Sequence, residues 1–236
     1  MSGYKIRFNG LDRLYDAYSW RLTRRAKKAW QTGQVIEGKF LQDFEAKVAD
    51  QSLRKFAVGV GSATDGLYFA MKSLGLTKDS VIACPVLTYI ATGGAIKRLG
   101  ARIEYIDVDQ YGSIGDLKNT PKVDAVVYVN LYGNPADYDR LRKFCDDRRI
   151  PLIEDGAQSQ GAVYKDIPSG KMGDISVLSF APSKNLPCFG TGGLVLTDNV
   201  DVYHKVKALR KHGKGTKEYG YNSFLSDDHA NQLLLL

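Results

Sequence analysis

The chain is poor in the residues that staple a fold, bind a metal or anchor a protein in a membrane. Its 236 residues include only three cysteines, three histidines and two tryptophans. Cys84, Cys145 and Cys188 are odd in number and widely spaced, which argues against a disulfide framework or a cysteine metal quartet and fits a reducing compartment. His204, His212 and His229 do not share metal-ligand spacing with the cysteines or with acidic residues, so no metal site is expected. No apolar run reaches membrane-spanning length, and the stretch from Met1 to Arg7 lacks the apolar core of a signal peptide. A soluble, cytoplasmic protein without membrane contact is therefore expected. Internal repeats, low-complexity tracts and linkers rich in proline, glycine or serine are also missing. One domain is expected over 1–236, beginning with a helical segment over about 1–52.

What the chain has in quantity is apolar sequence and scattered positive charge. Hydrophobic residues make up 44% of it and its formal net charge is +7. The basic residues lie in amphipathic segments such as Arg21 to Lys28 and Arg140 to Arg149, as solvated helix faces require. No aromatic signature of RNA binding accompanies them, so nucleic acid is not an expected partner.

Short apolar runs alternate with stretches of helical period. Strands are predicted at Phe56–Val60, Val81–Ala83, Arg102–Ile106, Ala125–Val129, Leu152–Glu154, Ser176–Phe180 and Leu194–Thr197. Helices are predicted near Leu11–Gln31, Leu41–Gln51, Asp65–Leu74, Ala91–Leu99, Asp137–Arg148 and Val200–Lys211. This alternation predicts an α/β domain with a mostly parallel sheet covered on both faces, where ligands gather beyond the carboxyl ends of the strands. From Leu225 the pattern becomes helical again and reaches the apolar run Leu233–Leu236. That run needs a surface to dock on, or else marks a chain cut inside a helix; the cut is the expectation.

Three segments carry chemistry. Gly59-Val-Gly61-Ser62-Ala63-Thr64-Asp65 follows a strand and opens a helix, where free amides and the positive helix end favour a phosphate. It departs from the dinucleotide fingerprint at Thr64, and Asp79 precedes a strand rather than ending one, so a nicotinamide dehydrogenase is disfavoured. Taken alone, a glycine turn with a capping serine explains the segment equally well. Asp155 and Gln158 sit at a strand end, where a carboxylate can keep a cofactor's ring nitrogen protonated, though an isolated Asp-Gly usually just caps a turn. Lys184, in Ser179-Phe-Ala-Pro-Ser-Lys184, lies on a loop after a strand, where an amine can serve as a nucleophile toward an aldehyde. Tyr89, in Thr88-Tyr89, is an aromatic at a strand end that could stack on a flat ligand.

In order, these pieces resemble the sugar aminotransferases of the DegT/DnrJ/EryC1/StrS type, within the fold-type I pyridoxal-phosphate enzymes. The similarity runs from about Gly33 to Leu236, through Gly33-Gln-Val-Ile-Glu-Gly38, Val60-Gly-Ser-Ala-Thr-Asp-Gly-Leu67, Pro85-Val-Leu-Thr-Tyr-Ile-Ala-Thr92 and Leu131-Tyr-Gly-Asn-Pro-Ala-Asp137. It continues through Ile153-Glu-Asp-Gly-Ala-Gln-Ser-Gln-Gly161, Ser179-Phe-Ala-Pro-Ser-Lys184, Gly190-Thr-Gly-Gly193 and Arg210-Lys-His-Gly213. The resemblance implies a three-layer large domain with a seven-stranded, mostly parallel sheet, and relatives that continue into a smaller C-terminal domain. It implies pyridoxal 5'-phosphate as cofactor. Lys184 would condense with its aldehyde and shuttle the proton, and Asp155 would pair with the ring nitrogen. Gln158 would lie near the phenolic oxygen and Tyr89 against the ring. Ser62, Ala63, Thr64 and Ser179 would hold the phosphate, with Asn222 reaching the phosphate of a neighbouring subunit in a homodimer with shared active sites.

The implied reaction moves an amino group from glutamate or glutamine to a nucleotide-linked keto-sugar. A shortened, non-catalytic relative that binds the cofactor or a partner without turnover is the alternative. Relatives that act as dehydratases carry histidine at the lysine position, which Lys184 argues against. Family members usually have an acidic residue where Thr191 stands, an arginine at Phe224 and in many cases a histidine at Asn130 or Gln160. These departures are expected on the substrate side.

Overall fold

The computed structural model describes residues 9–135 and 137–236. Residues 1–8, where the expected N-terminal helical segment begins, and Ala136, within the stretch Leu131–Asp137, lie outside the described residues. The strands are β1 (Phe56–Val60), β2 (Val81–Pro85), β3 (Arg102–Ile106), β4 (Ala125–Val129), β5 (Leu152–Asp155), β6 (Val163–Tyr164), β7 (Ile167–Pro168), β8 (Ile175–Ser179) and β9 (Gly193–Thr197). The helices are α1 (Leu11–Trp30), α2 (Lys39–Gln51), α3 (Ala63–Ser73), α4 (Ile90–Leu99), α5 (Tyr138–Arg148), α6 (Val200–Leu209) and α7 (Asp227–Leu233).

Seven strands form one sheet in the order β1-β9-β8-β5-β4-β2-β3, and β9 alone runs antiparallel to its neighbours. The carboxyl ends of the six parallel strands therefore share one edge with the amino end of β9. Alternate residues of each strand serve different layers, as the period of two demands. Val58, Val60, Cys84, Val127, Ile153, Val177 and Val195 join the core under α3, α4 and α6. On the opposite face, Ala57, Leu178, Leu194 and Leu196 pack on α2 and α7, while Val126, Tyr128 and Leu152 pack on α5. The expected three-layer α/β architecture is the observed one.

Two local differences from the sequence reading have physical causes. Helix α3 begins at Ala63 rather than Asp65, because Ser62 is the cap: its Oγ accepts the amide of Asp65 at 3.1 Å. The hairpin β6-β7 turns on Lys165 and Asp166, both at positive φ, and neither is the glycine or asparagine that announces such a turn. At the apolar end, α7 packs against α1 and α2, with Leu233 buried and Leu234 partly so. Asp227 of α7 also reaches across the chain to accept the amide of Leu41 at 2.8 Å in the first turn of α2. No described helix is long and apolar enough to cross a membrane.

Beneath the sheet edge, Arg54 is buried and holds three elements at once. Its guanidinium donates to the carbonyls of Gly170 at 2.7 Å and Gly173 at 2.6 Å, to Ser176 Oγ at 3.1 Å and to Asp198 Oδ2 at 2.9 Å. Burial opposes ionisation of Asp198, but Lys171, the amide of Lys55 and Arg54 outweigh it and hold the carboxyl at about 2, down from 3.8. A depressed carboxyl stabilises the fold above its unfolded value, and that contribution disappears as pH falls through the folded one. Asp198→Asn should accordingly cost on the order of 1 kcal/mol at neutral pH, after allowance for solvent screening. The two proteins should converge as the pH drops from 3.8 to about 2. Denaturant melts at stepped pH measure this, and a gap that persists in acid would mean Asp198 acts through packing rather than charge.

Candidate active site

A cavity of about 840 Å³ opens at the carboxyl edge of the sheet. Among the described residues that line it, Lys184 is the only amine and Asp155 the only carboxylate.

One end of the cavity is built for an anion. Helix α3 leaves the amides of Ala63 and Thr64 without intrahelical acceptors, and its positive end faces the same space. Ser62 Oγ is occupied as an acceptor by the Asp65 amide, and Ser179 Oγ accepts the Ala181 amide at 3.4 Å, so each hydroxyl keeps its proton to donate. Gly193 pairs with both Val60 and Ser179, and it brings β9 against this turn. A Cβ there would stand 2.6 Å from the amide nitrogen of Ala63 and 2.7 Å from the carbonyl carbon of Ser62, so only glycine admits the backbone this close.

The other end holds a buried acid. Asp155 is 4% exposed, and its oxygens accept from Thr92 Oγ1 at 2.7 Å and from the Ala157 amide at 3.2 Å. Burial pushes its carboxyl above the ordinary range; the Thr92 hydroxyl, the Ala157 amide and the charge of Lys184 pull it back only in part. The neighbouring thiol of Cys84 is driven up to about 12, by burial first and then by Asp155, which leaves it unreactive. Gln158 Oε1 accepts the amide of Tyr132 at 2.7 Å, so its Nε2 is the donor end of a side chain lining the cavity. Tyr132 makes that bond from a left-handed backbone at φ 56°. Tyr89 lies at the mouth, with the Lys184 Nζ 5.8 Å from its ring centroid.

Lys184 rides on a loop clamped to the turn after β5. Gln160 Nε2 donates to the carbonyl of Ser179, Asn185 Nδ2 returns a bond to the carbonyl of Gln160 at 2.6 Å, and the Lys184 amide closes a turn on Ala181 at 2.9 Å. The half-buried lysine is thus held at the cavity wall. An amine, a buried acid, a donor amide, an exposed ring and a helix N-terminus around one space suit a flat ligand that carries an anionic group, a basic ring nitrogen and an electrophilic carbon.

Of the residues singled out in the sequence, Ser62, Ala63, Thr64, Tyr89, Asp155, Gln158, Ser179 and Lys184 all border this cavity. Asn222 does not. It lines an adjoining recess with Gly61, Ser223 and Phe224, and Ser62 and Thr191 border both spaces. Asn130 and Gln160, expected on the substrate side, sit elsewhere. Asn130 is buried and donates to Glu154 Oε1 at 3.0 Å, and Gln160 belongs to the clamp on the lysine loop. The sequence reading missed the part of Thr92, four residues after Thr88 in the first turn of α4, and that of Asn185; the helical spacing was the signal for the first.

The model of the DegT/DnrJ/EryC1/StrS aminotransferase family matches residues 19–232. A relative from Pseudomonas aeruginosa, named UDP-2-acetamido-2-deoxy-3-oxo-D-glucuronate aminotransferase, is 33% identical over 86% of this chain and 59% of its own. One from Geobacillus stearothermophilus, named a pleiotropic regulatory protein, is 29% identical over 93% of this chain and 62% of its own. The crystal structure of Streptomyces venezuelae DesV in complex with a ketimine intermediate superposes with a TM-score of 0.92 at 31% identity, covering 98% of this chain and 64% of that one. The chain thus spans roughly six tenths of the length of these proteins.

The backbone contact at Gly193 is directly testable. Gly193→Ala should cost about 1–3 kcal/mol by overpacking. It should also abolish any stabilisation by inorganic phosphate, read as the shift of the thermal midpoint; an unchanged midpoint and phosphate response would show the contact to be slack.

Proposed function

Because the chain belongs to the DegT/DnrJ/EryC1/StrS aminotransferase family, we propose that it binds pyridoxal 5'-phosphate in this cavity and serves amino transfer from glutamate or glutamine to a nucleotide-linked keto-sugar. The family depends on that cofactor. The observation that carries the reading is the pairing of one amine, Lys184, with one buried carboxylate, Asp155, across a space that ends on the helix α3 amides.

When bound, pyridoxal phosphate supplies an aldehyde for exchanging amines and a ring that takes up the electron pair of a broken bond. The chain supplies the rest. The amides of Ala63 and Thr64, with the hydroxyls of Ser62 and Ser179, would bind the phosphate. Asp155 would accept a hydrogen bond from the protonated ring nitrogen, which relieves the cost of burying its charge. Gln158 Nε2 would donate to the ring oxygen, and Tyr89 would cover one ring face and exclude water. Lys184 would hold the cofactor and then take and return a proton at its Nζ.

The substrate class rests on the Pseudomonas relative, whose name places its amino group on a UDP-linked keto-sugar. Residues 1–236 would form the large, cofactor-binding domain. Exposed Val86, Leu87 and Ile90 beside Tyr89, together with the recess at Asn222, support a second copy that completes the site. The free, buried thiols suit the cytoplasm. A non-catalytic, cofactor-binding role is the second reading, favoured by the Geobacillus relative's name.

Added pyridoxal phosphate should change its visible absorbance on the wild-type chain, and borohydride should fix the label on the peptide that carries Lys184. Lys184→Ala should lose both signals. A further spectral change on adding glutamate supports amino transfer, a static spectrum supports the binding role, and no change on adding the cofactor overturns both.

A further inference from the structure

Asp155 is not held by the backbone alone. Thr92 is 1% exposed in the first turn of α4, and its single proton goes to Asp155 Oδ2 at 2.7 Å. Having given that proton away, Thr92 Oγ1 can meet Thr88 Oγ1, 2.8 Å distant, only as the acceptor. The direction of the chain is thereby fixed while Asp155 is charged: Thr88 donates to Thr92, and Thr92 donates to Asp155. Thr88 itself borders the cavity. A β-branched residue with a buried hydroxyl at that point gains nothing for helix α4 or for an apolar core, so the hydroxyl must be bonded to be tolerated.

We propose that Thr92 is a positioning residue, and that Thr88 and Thr92 form a two-hydroxyl chain which orients the Asp155 carboxylate into the cavity and favours its charged form. Its bearing on cofactor capture rests on the function proposed above; its hold on Asp155 does not. Each donor polarises the next, so the pair strengthens the bond to Asp155 beyond what Thr92 alone would give. Burial raises the Asp155 carboxyl, and Thr92 is the largest of the influences that lower it. The other groups facing Asp155 are few. Lys184, from the loop after β8, favours the charge; the thiol of Cys84 on β2 stays neutral; Glu154, next in the strand, points to the opposite face among its own donors. Val129 and Val177, its partners on β4 and β8, carry no charge.

Thr92→Val removes the hydroxyl at nearly constant shape. In the ligand-free protein, the Asp155 carboxyl can be followed by carbon NMR, with Asp155→Asn identifying its signal. The midpoint is expected to rise by about one unit or more in Thr92→Val, to return in Thr92→Ser, and to rise by a smaller step in Thr88→Val. With pyridoxal phosphate as the probe, Thr92→Val should weaken binding about tenfold at neutral pH, Thr92→Ser should rescue it, and the loss should vanish in the Asp155→Asn background. Should Thr92→Val fail to fold, Thr92→Ala and Thr88→Val read the same midpoint. A midpoint that stays put when either hydroxyl is removed overturns the proposal even if the cofactor binds. A wild-type chain that ignores the cofactor while the midpoint moves leaves the hydroxyl chain standing and removes the function assigned to the cavity.

Discussion

Two carboxylates in succession at the end of a buried strand are the constraint around which this structure is arranged. In a strand, neighbours face opposite sides, so Glu154 and Asp155 cannot share one solution. Glu154 faces α5 and is fully satisfied from within: Ser169 Oγ, Ser176 Oγ, Asn130 Nδ2 and the amides of Gly170 and Met172 all donate to it within 3.1 Å. Asp155 faces the cavity with two internal donors, Thr92 and the Ala157 amide. Burial raises both carboxyls. The same residue chemistry is thus structural on one face, where the shell is closed, and available on the other, where it is open toward a cationic partner.

The anion end follows from topology as much as from residue type. Because β9 runs against its neighbours, its amino end meets the carboxyl ends of β1 and β8, and Gly193 falls between Val60 and Ser179. The turn before α3 and the serine ending β8 therefore meet over one glycine. Gly66, whose Cβ would stand 2.8 Å from Val177 Cγ1, lets α3 lie close on the sheet and aims its first amides over that edge. A fully parallel sheet would need a crossover between β8 and β9 at this point.

Much of this was legible in the sequence. The strands at Phe56–Val60 and Ala125–Val129 are found with the bounds that their apolar runs predict, because a buried strand leaves an unbroken apolar signature. Arg102–Ile106 is also found with its predicted bounds, although it is an edge strand in which only Ile106 is buried. The residues that the family resemblance marked at the cavity were readable as types at strand ends. What joined them was not. Nothing in the spacing told that Gln160 and Asn185 clamp the lysine loop, since their bonds run to backbone carbonyls whose positions only the fold sets. Asn130 was misplaced for a related reason: it follows a strand whose end does border the cavity, but its side chain turns under the sheet to Glu154.

The cavity is uneven in a way that bears on the division of labour within it. Asp155, Gln158 and Ser179 are each held by bonds to their own chain, and Lys184 by the bonds of its loop. Other lining residues, Tyr89, Tyr132, Ser183 and Thr191, are exposed, and Tyr132 is 86% so. Rigid, prepaired groups lose little entropy when a ligand arrives, whereas exposed side chains must be ordered by whatever covers them. Under the proposed function, capture of a flat, phosphorylated ring would draw on groups already in place, and discrimination among larger substrates would fall to the exposed rim. Thr191, Tyr132 and Tyr89 lie on that rim. Under the same proposed function, sugar recognition would be where this chain has the most freedom to differ from its relatives.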